Sequence, residues 1–206
     1  LKLSATNLEI ALSCRVAASV EGKGAIVVPA RLFTQFVKAL PNDRIDMSLS
    51  KRTLRLACGG CTATIHGVDA AEFPPIPQVA EGVGTRIDPE QLRHGVGMVA
   101  FAAAAEDTRP VLTGVNMGME GDKLTLVAAD SCRLARLHLG LLSPVARTVA
   151  LVPAKALRVV ARMLPKRAQE VAVLVNFQGV VLFSWPGTEI TIKLIQGTFP
   201  TYSHLI

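Results

Sequence analysis

Two groups of side chains in this 206-residue sequence have the types and spacing to do chemistry or to hold a charged partner. The first is Cys58-Gly59-Gly60-Cys61, two thiols separated by two glycines. Such a pair can serve as a redox couple or as half of a zinc site. No second CxxC accompanies it, and it does not open a helix as a thioredoxin-like site would. The same residues fit a β-hairpin, with Arg55–Cys58 and Cys61–Ile65 as strands around a Gly-Gly turn. The second group is Lys155, Arg158 and Arg162. At i, i+3 and i+7 they share one face of a helix. No Asp or Glu occurs from Ser131 to Gln169, so nothing nearby in sequence neutralises that face.

A net charge of +6 and a pI near 9.5 point to a polyanionic partner. Anionic membrane and nucleic acid both satisfy that count. A membrane-surface helix needs a large apolar face with Trp or Phe, and the Lys155 helix has neither, which favours nucleic acid. Enzyme signatures are missing. The four histidines, at 66, 94, 138 and 204, are scattered. The sequence has no nucleophile elbow, no phosphate-cradling Gly loop and no metal-spaced His pair. No metal or cofactor is expected. A CxxC redox protein and a DNA-binding regulator with a recognition helix remain as alternatives on the residues alone.

The basic face needs a helix to carry it, and Leu151–Pro165 supplies one with a proline at each end. Pro153 suits the first helical position and Pro165 cannot continue the ladder. Leu157, Val160, Ala161 and Leu164 make the apolar stripe opposite the cations. The same pattern occurs 124 residues earlier, in Val27–Pro41. There Leu32, Phe36, Val37 and Leu40 form the stripe, while Arg31, Thr34 and Lys38 take the places of Lys155, Arg158 and Arg162. Matching prolines, stripe and two cations imply a duplicated domain.

Half of the residues are apolar, so a core is readily built. The longest strictly apolar run, Met98 to Ala105, is too short to span a bilayer, and the first residues show no signal peptide. A soluble, cytoplasmic protein is the expectation. Period-two patterning predicts strands at 1–10, 11–18, 24–28, 45–49, 54–58 and 61–65. Residues 78–84, following a Pro-rich run, read as a linker. Asp88-Pro89-Glu90-Gln91 opens a helix expected to reach about Ala105. Further strands are expected at 112–119, 123–129 (across a Glu120-Gly121-Asp122 turn), 133–139, 148–152, 171–177, 180–185 and 189–195. Phe73-Pro74 leads into a linker and a second copy, and Phe199-Pro200 matches it. A third copy is therefore expected past Ile206, and a missing first part before Leu1.

Several short stretches in this order resemble the bacterial β sliding clamp family, the processivity subunit of the replicative DNA polymerase. They are Ala5-Thr6-Asn7-Leu8-Glu9, Val28-Pro29-Ala30-Arg31, Glu72-Phe73-Pro74, Arg109 to Gly114, Ala128-Ala129-Asp130-Ser131-Cys132-Arg133-Leu134-Ala135, Val152-Pro153 and Gly197-Thr198-Phe199-Pro200-Thr201-Tyr202. The resemblance implies an α+β DNA-clamp fold of repeated domains, each an antiparallel sheet with two helices packed on one face. Residues 1–82 would be the later part of the first domain and 83–206 the second. It implies a head-to-tail homodimeric ring around double-stranded DNA, read without sequence preference. Arg31, Lys38, Arg93, Lys155, Arg158 and Arg162 would face the phosphates. It also implies a pocket for short peptides of polymerase and clamp-loader subunits, walled by Leu112, Ala129, Ser131, Cys132, Arg133, Leu134, Pro200, His204 and Leu205. Where the family usually has Thr-Asp-Gly-His-Arg-Leu, this chain has Ala129-Asp130-Ser131-Cys132-Arg133-Leu134.

Overall fold

The computed structural model describes residues 1–106, 108–166 and 170–202. They fall into two compact units: residues 17–75 with Leu1, and residues 2–16 with 76 onward. Eleven strands and three α-helices are assigned among them: β1 (Lys2–Thr6), β2 (Ile10–Arg15), α1 (Ala30–Ala39), β3 (Asp46–Ser50), β4 (Thr53–Cys58), β5 (Cys61–His66), β6 (Val83–Ile87), α2 (Pro89–Val99), β7 (Gly114–Ala129), β8 (Leu134–Pro153), α3 (Ala154–Met163), β9 (Val171–Val175), β10 (Val180–Trp185) and β11 (Thr188–Lys193). Every strand pairing is antiparallel, which gives the expected α+β class.

The prolines bound the repeated helices, which begin one residue later than expected. Pro29 and Pro153 are the N-cap residues of α1 and α3, at ψ 110° and 125°, rather than first helical residues. At the other end Leu40 and Leu164 turn extended, at ψ 148° and 142°. Each precedes a proline, whose ring disfavours the helical region for its neighbour.

In the first unit β3-β4-β5 form a three-stranded sheet with β3 and β5 at its edges. Residues 24–28, expected as a strand, contribute only a bridge between Val27 and Val68, with N–H···O distances of 3.1 and 2.9 Å. Helix α1 has no buried residue, and Leu32 is 50% exposed. The described residues of the first unit provide one α-helix, and the second unit carries both helices of the expected layer.

There α3 packs on α2 and buries Ala154, Ala156, Leu157, Val160 and Ala161. Full burial of a Leu or Val contributes about 1.5–3 kcal/mol. The core joins these to Leu92 and Val96 of α2, to Met117, Leu124 and Leu126 of β7, and to Phe183, Ile190 and Ile192 of the sheet. Helix α2 begins as the sequence indicates: Asp88 Oδ1 accepts from the Gln91 amide at 2.8 Å and Pro89 is the first helical residue. It ends at Val99 rather than near Ala105, passing into a 3-10 turn at Ala100–Ala102. Gly95 lets it lie close to β8, since a Cβ there would stand 2.6 Å from Leu139 Cδ1.

Strand β7 starts two residues later than expected because Pro110–Thr113 form a 3-10 turn, with Thr113 Oγ1 bonding the Pro110 carbonyl at 2.7 Å. The Glu120-Gly121-Asp122 turn does not reverse the chain. Strands β7 and β8 run past it together, and the register shifts on either side of Gly121, whose φ is +58°. From Met119 to Lys123 strand β7 advances four residues while β8 spans eight, Gly140 to Thr148, so the excess is taken up as bulged pairing on β8. Residues 83–84, expected at the end of the linker, belong to β6.

The six-stranded sheet runs β1-β2-β11-β10-β9-β6. Residues 2–16 thus close the second unit's sheet, with Cys14 opposite Thr188 and Ile10 opposite Ile192. The repeat places these residues in the first copy, but backbone pairing groups them with the second.

Candidate nucleic-acid interface and peptide patch

Lys155, Arg158 and Arg162 are exposed on α3, on the side away from buried Leu157, Val160 and Ala161. Arg31 and Lys38 are exposed at the equivalent positions of α1. Neither helix has an acidic residue in its first turn, and Lys38 and Arg162 sit in the last turns, where cations favour the negative end of the dipole. The ion pairs among the described residues are Arg44–Asp46, Arg86–Glu170 and Arg133–Asp130, so none draws on these helices. Each helix therefore carries cations unneutralised by a described carboxylate.

Two of the arginines are also committed to the fold. Arg158 Nη2 donates to the Ala100 carbonyl at 2.6 Å, tying α3 to the end of α2. Arg93 is half-buried, and its Nη2 donates to the Leu164 and Pro165 carbonyls at 2.9 and 3.0 Å. Those carbonyls lie just past the last turn of α3, so Arg93 acts as a C-terminal cap. Arg93 thus has a structural role beside the phosphate-facing one expected of it. Its spacing on α2 reveals the face, while only the packing of α3 reveals what lies there.

The turn that carries the expected peptide-patch residues is built around Asp130. Its Oδ1 accepts from the Cys132 and Arg133 amides at 2.8 and 3.0 Å, and its Oδ2 pairs with Arg133 Nε at 2.9 Å. The Cys132 amide bond holds the Asp130 carboxyl below the usual carboxylate range; burial opposes it, and the Arg133 amide, hydrogen bond and charge add to the lowering. Asn7 does the same in the first copy, its Oδ1 accepting from the Glu9 and Ile10 amides at 3.1 and 2.8 Å. The motif thus turns the chain in both copies.

Ser131, Cys132 and Arg133 are exposed on the turn, and Ala129 pairs with Leu134 at the ends of β7 and β8. The Arg133 guanidinium lies 5.6 Å from the centre of the Phe101 ring, which is 52% exposed. Sequence reasoning does not single out Phe101, because it lies in an alanine-rich run with nothing local to mark it. Leu112 is buried in the 3-10 turn, and its carbonyl accepts from the Ala104 amide at 2.9 Å, three residues past Phe101. Pro200 is exposed beside the edge-to-face pair Phe199–Tyr202, whose centroids are 6.3 Å apart. No described interaction joins Pro200 to Leu112 or Leu134, and His204 and Leu205 lie outside the described residues.

Two concavities lie away from this turn. One, of about 430 Å³, is lined by Ser13, Arg15, Arg86, Glu170, Trp185 and Glu189 among others; a second, of about 330 Å³, lies at the Cys58–Cys61 hairpin. No group of three or more His, Cys, Asp or Glu able to hold a metal ion occurs among the described residues, and no described helix is long and apolar enough to cross a membrane.

Residues 1–77 match the family model for the DNA polymerase III beta subunit, N-terminal domain, and residues 86–201 the model for its central domain. The chain is 35% identical over 210 residues to the beta sliding clamp of Streptomyces coelicolor, covering 100% of this chain and 56% of that one. To the beta sliding clamp of Bacillus subtilis it is 31% identical over 190 residues, covering 91% and 50%. Among solved structures, the DNA polymerase III subunit beta of Pseudomonas aeruginosa superimposes with a TM-score of 0.91 at 30% identity, over 100% of this chain and 57% of that chain. The chain therefore spans a little over half the length of such relatives.

Proposed function

The chain belongs to the DNA polymerase III beta subunit family, and from that premise we propose that it is part of a sliding clamp, a non-catalytic ring that encircles duplex DNA and tethers the polymerase. The observation that carries the reading is the repeated helix face, Arg31 and Lys38 on α1 and Lys155, Arg158 and Arg162 on α3, unneutralised among the described residues. Sliding forbids base-specific contacts, which would trap the ring at preferred sites. Long solvated cations on phosphates hold the duplex without reading it.

In this reading residues 1–82 and 83–206 are parts of successive clamp domains. The whole protein closes as a head-to-tail homodimer in the cytoplasm, with the edge strand β5 at the subunit boundary. The patch of Leu112, Ala129, Ser131–Leu134 and Pro200, with His204 and Leu205, takes short peptides of polymerase and clamp-loader subunits. Apolar anchors and a few orienting polar groups suit such a ligand.

The test uses the full-length protein loaded on nicked circular DNA. Association should persist on the circle and vanish when the DNA is linearised. Changing Lys155 and Arg162 to Ala should flatten the dependence of log K on log salt by about 0.9 for each phosphate no longer neutralised, equally on any duplex. Binding that survives linearisation and changes with sequence would make it a conventional DNA-binding regulator instead.

A further inference from the structure

Residues Cys58 and Cys61 close the β4–β5 hairpin as directly opposed partners, around Gly59 and Gly60 at φ +53° and +81°. Directly opposed residues of an antiparallel pair project to the same face, with Cα atoms about 4.5–5.5 Å apart, and a disulfide accepts about 4.4–6.8 Å. Both thiols are free. They differ in access: Cys61 is exposed, whereas Cys58 is 4% exposed, with its Sγ 3.7 Å from the Pro41 carbonyl. The concavity of about 330 Å³ at this hairpin is lined by both cysteines, so the pair borders open space from which a reagent can approach the exposed Cys61.

We propose that Cys58 and Cys61 form a redox-modifiable dithiol that closes to an intrachain disulfide by exchange with a low-molecular-weight disulfide such as glutathione disulfide. The Cys61 thiolate attacks one sulfur of the reagent and expels one glutathione thiolate, leaving a mixed disulfide on Cys61. The Cys58 thiolate then attacks the Cys61 sulfur and expels the second glutathione. Two protein thiols are oxidised, one disulfide is reduced to two thiols, and the two thiol protons pass to the departing thiolates. Burial pushes the Cys58 thiol up, with Asp43 adding to the effect, so the second step is the slow one and quickens as pH rises. Closure takes Cys58 Sγ off the Pro41 carbonyl just after α1 and pins the first residue of edge strand β5.

The native protein is equilibrated in buffers of graded glutathione to glutathione-disulfide ratio, acid-quenched, alkylated and digested with trypsin. One peptide, residues 56–86, carries both cysteines. It should lose two hydrogens and take up no alkyl group under oxidising ratios, while Cys14 and Cys132 give alkylated or glutathionylated peptides. Cys58→Ser should trap glutathione on Cys61, and Cys61→Ser should slow modification of Cys58 about ten-fold or more relative to Cys61 in native protein, as burial of a thiol requires. The proposal is overturned if residues 56–86 remain doubly alkylated at every ratio, if glutathione stays on Cys61 in the native protein, or if the bond forms only between molecules.

Discussion

Replacing Arg93 by Met keeps the side chain's stem against α3 and removes both bonds to the Leu164 and Pro165 carbonyls. One nitrogen, Nη2, serves both acceptors, so the two distances describe a single shared interaction rather than two additive ones. A charged donor on a carbonyl is worth about 1.5–3 kcal/mol, and half-exposure places this one at the lower end. A cation at a helix C-terminus adds about 0.3–1 kcal/mol, giving a loss of about 2 kcal/mol in all. In a body of this size that lowers Tm by about 4–8 °C. Trp185, the chain's single tryptophan, lies in β10 of the second unit, so its fluorescence follows that unit's unfolding separately from the first. Lys155→Met and Arg162→Met, on exposed side chains, should stay within about 0.5 kcal/mol of the native protein. In the full-length protein the order reverses: Arg93→Met should leave the salt dependence of DNA association unchanged, while the other two reduce it. The reasoning fails if Arg93→Met melts with the native protein, or if Lys155→Met melts as low as Arg93→Met.

Gly59→Ala should destabilise the first unit by about 1–2 kcal/mol in urea unfolding followed by circular dichroism, the usual cost of a left-handed residue. Its Cβ would also meet Pro41 Cγ at 2.8 Å, whereas Gly22→Ala, with open space around it, should be silent. Asp130→Ala should open the Cys132 and Arg133 amides to fast hydrogen exchange, and Asp130→Asn should protect them as Asn7 does in the first copy. Because the Asp130 carboxyl is depressed in the folded protein, its support of the turn is complete above the ordinary carboxylate range and is lost as pH falls through the folded value; the Asn variant should show no such loss. Leu134→Asp should weaken a polymerase-tail peptide at least about ten-fold in the full-length protein with little change in melting, as for an anchor residue of a binding site. Unchanged affinity would remove Leu134 from the pocket.

The elements legible in the sequence are those whose physics is local. Paired prolines bound α1 and α3, the Asp88-Pro89 pair starts α2, and Gly59-Gly60 turns the hairpin, because each acts through dihedral preference or a bond to a near neighbour. The duplication is legible too, since it is a pattern of residue types along one chain. What needs the tertiary structure is everything set by a distant partner. Strands β7 and β8 pass Gly121 without reversing because each is long enough to pair with the other, which no window around residues 120–122 contains. Strands β1 and β2 join the second unit because β11 offers β2 an edge across a long stretch of sequence, 174 residues from Cys14 to Thr188, and β1 adds to β2. The basic residues divide on the same ground. Spacing alone makes Arg93, Lys155, Arg158 and Arg162 equivalent exposed cations. Only the packing of α2 on α3 sets carbonyls within reach of Arg93 and Arg158 and leaves Lys155 and Arg162 to the solvent, because a long side chain's partner is decided by what folds beside it.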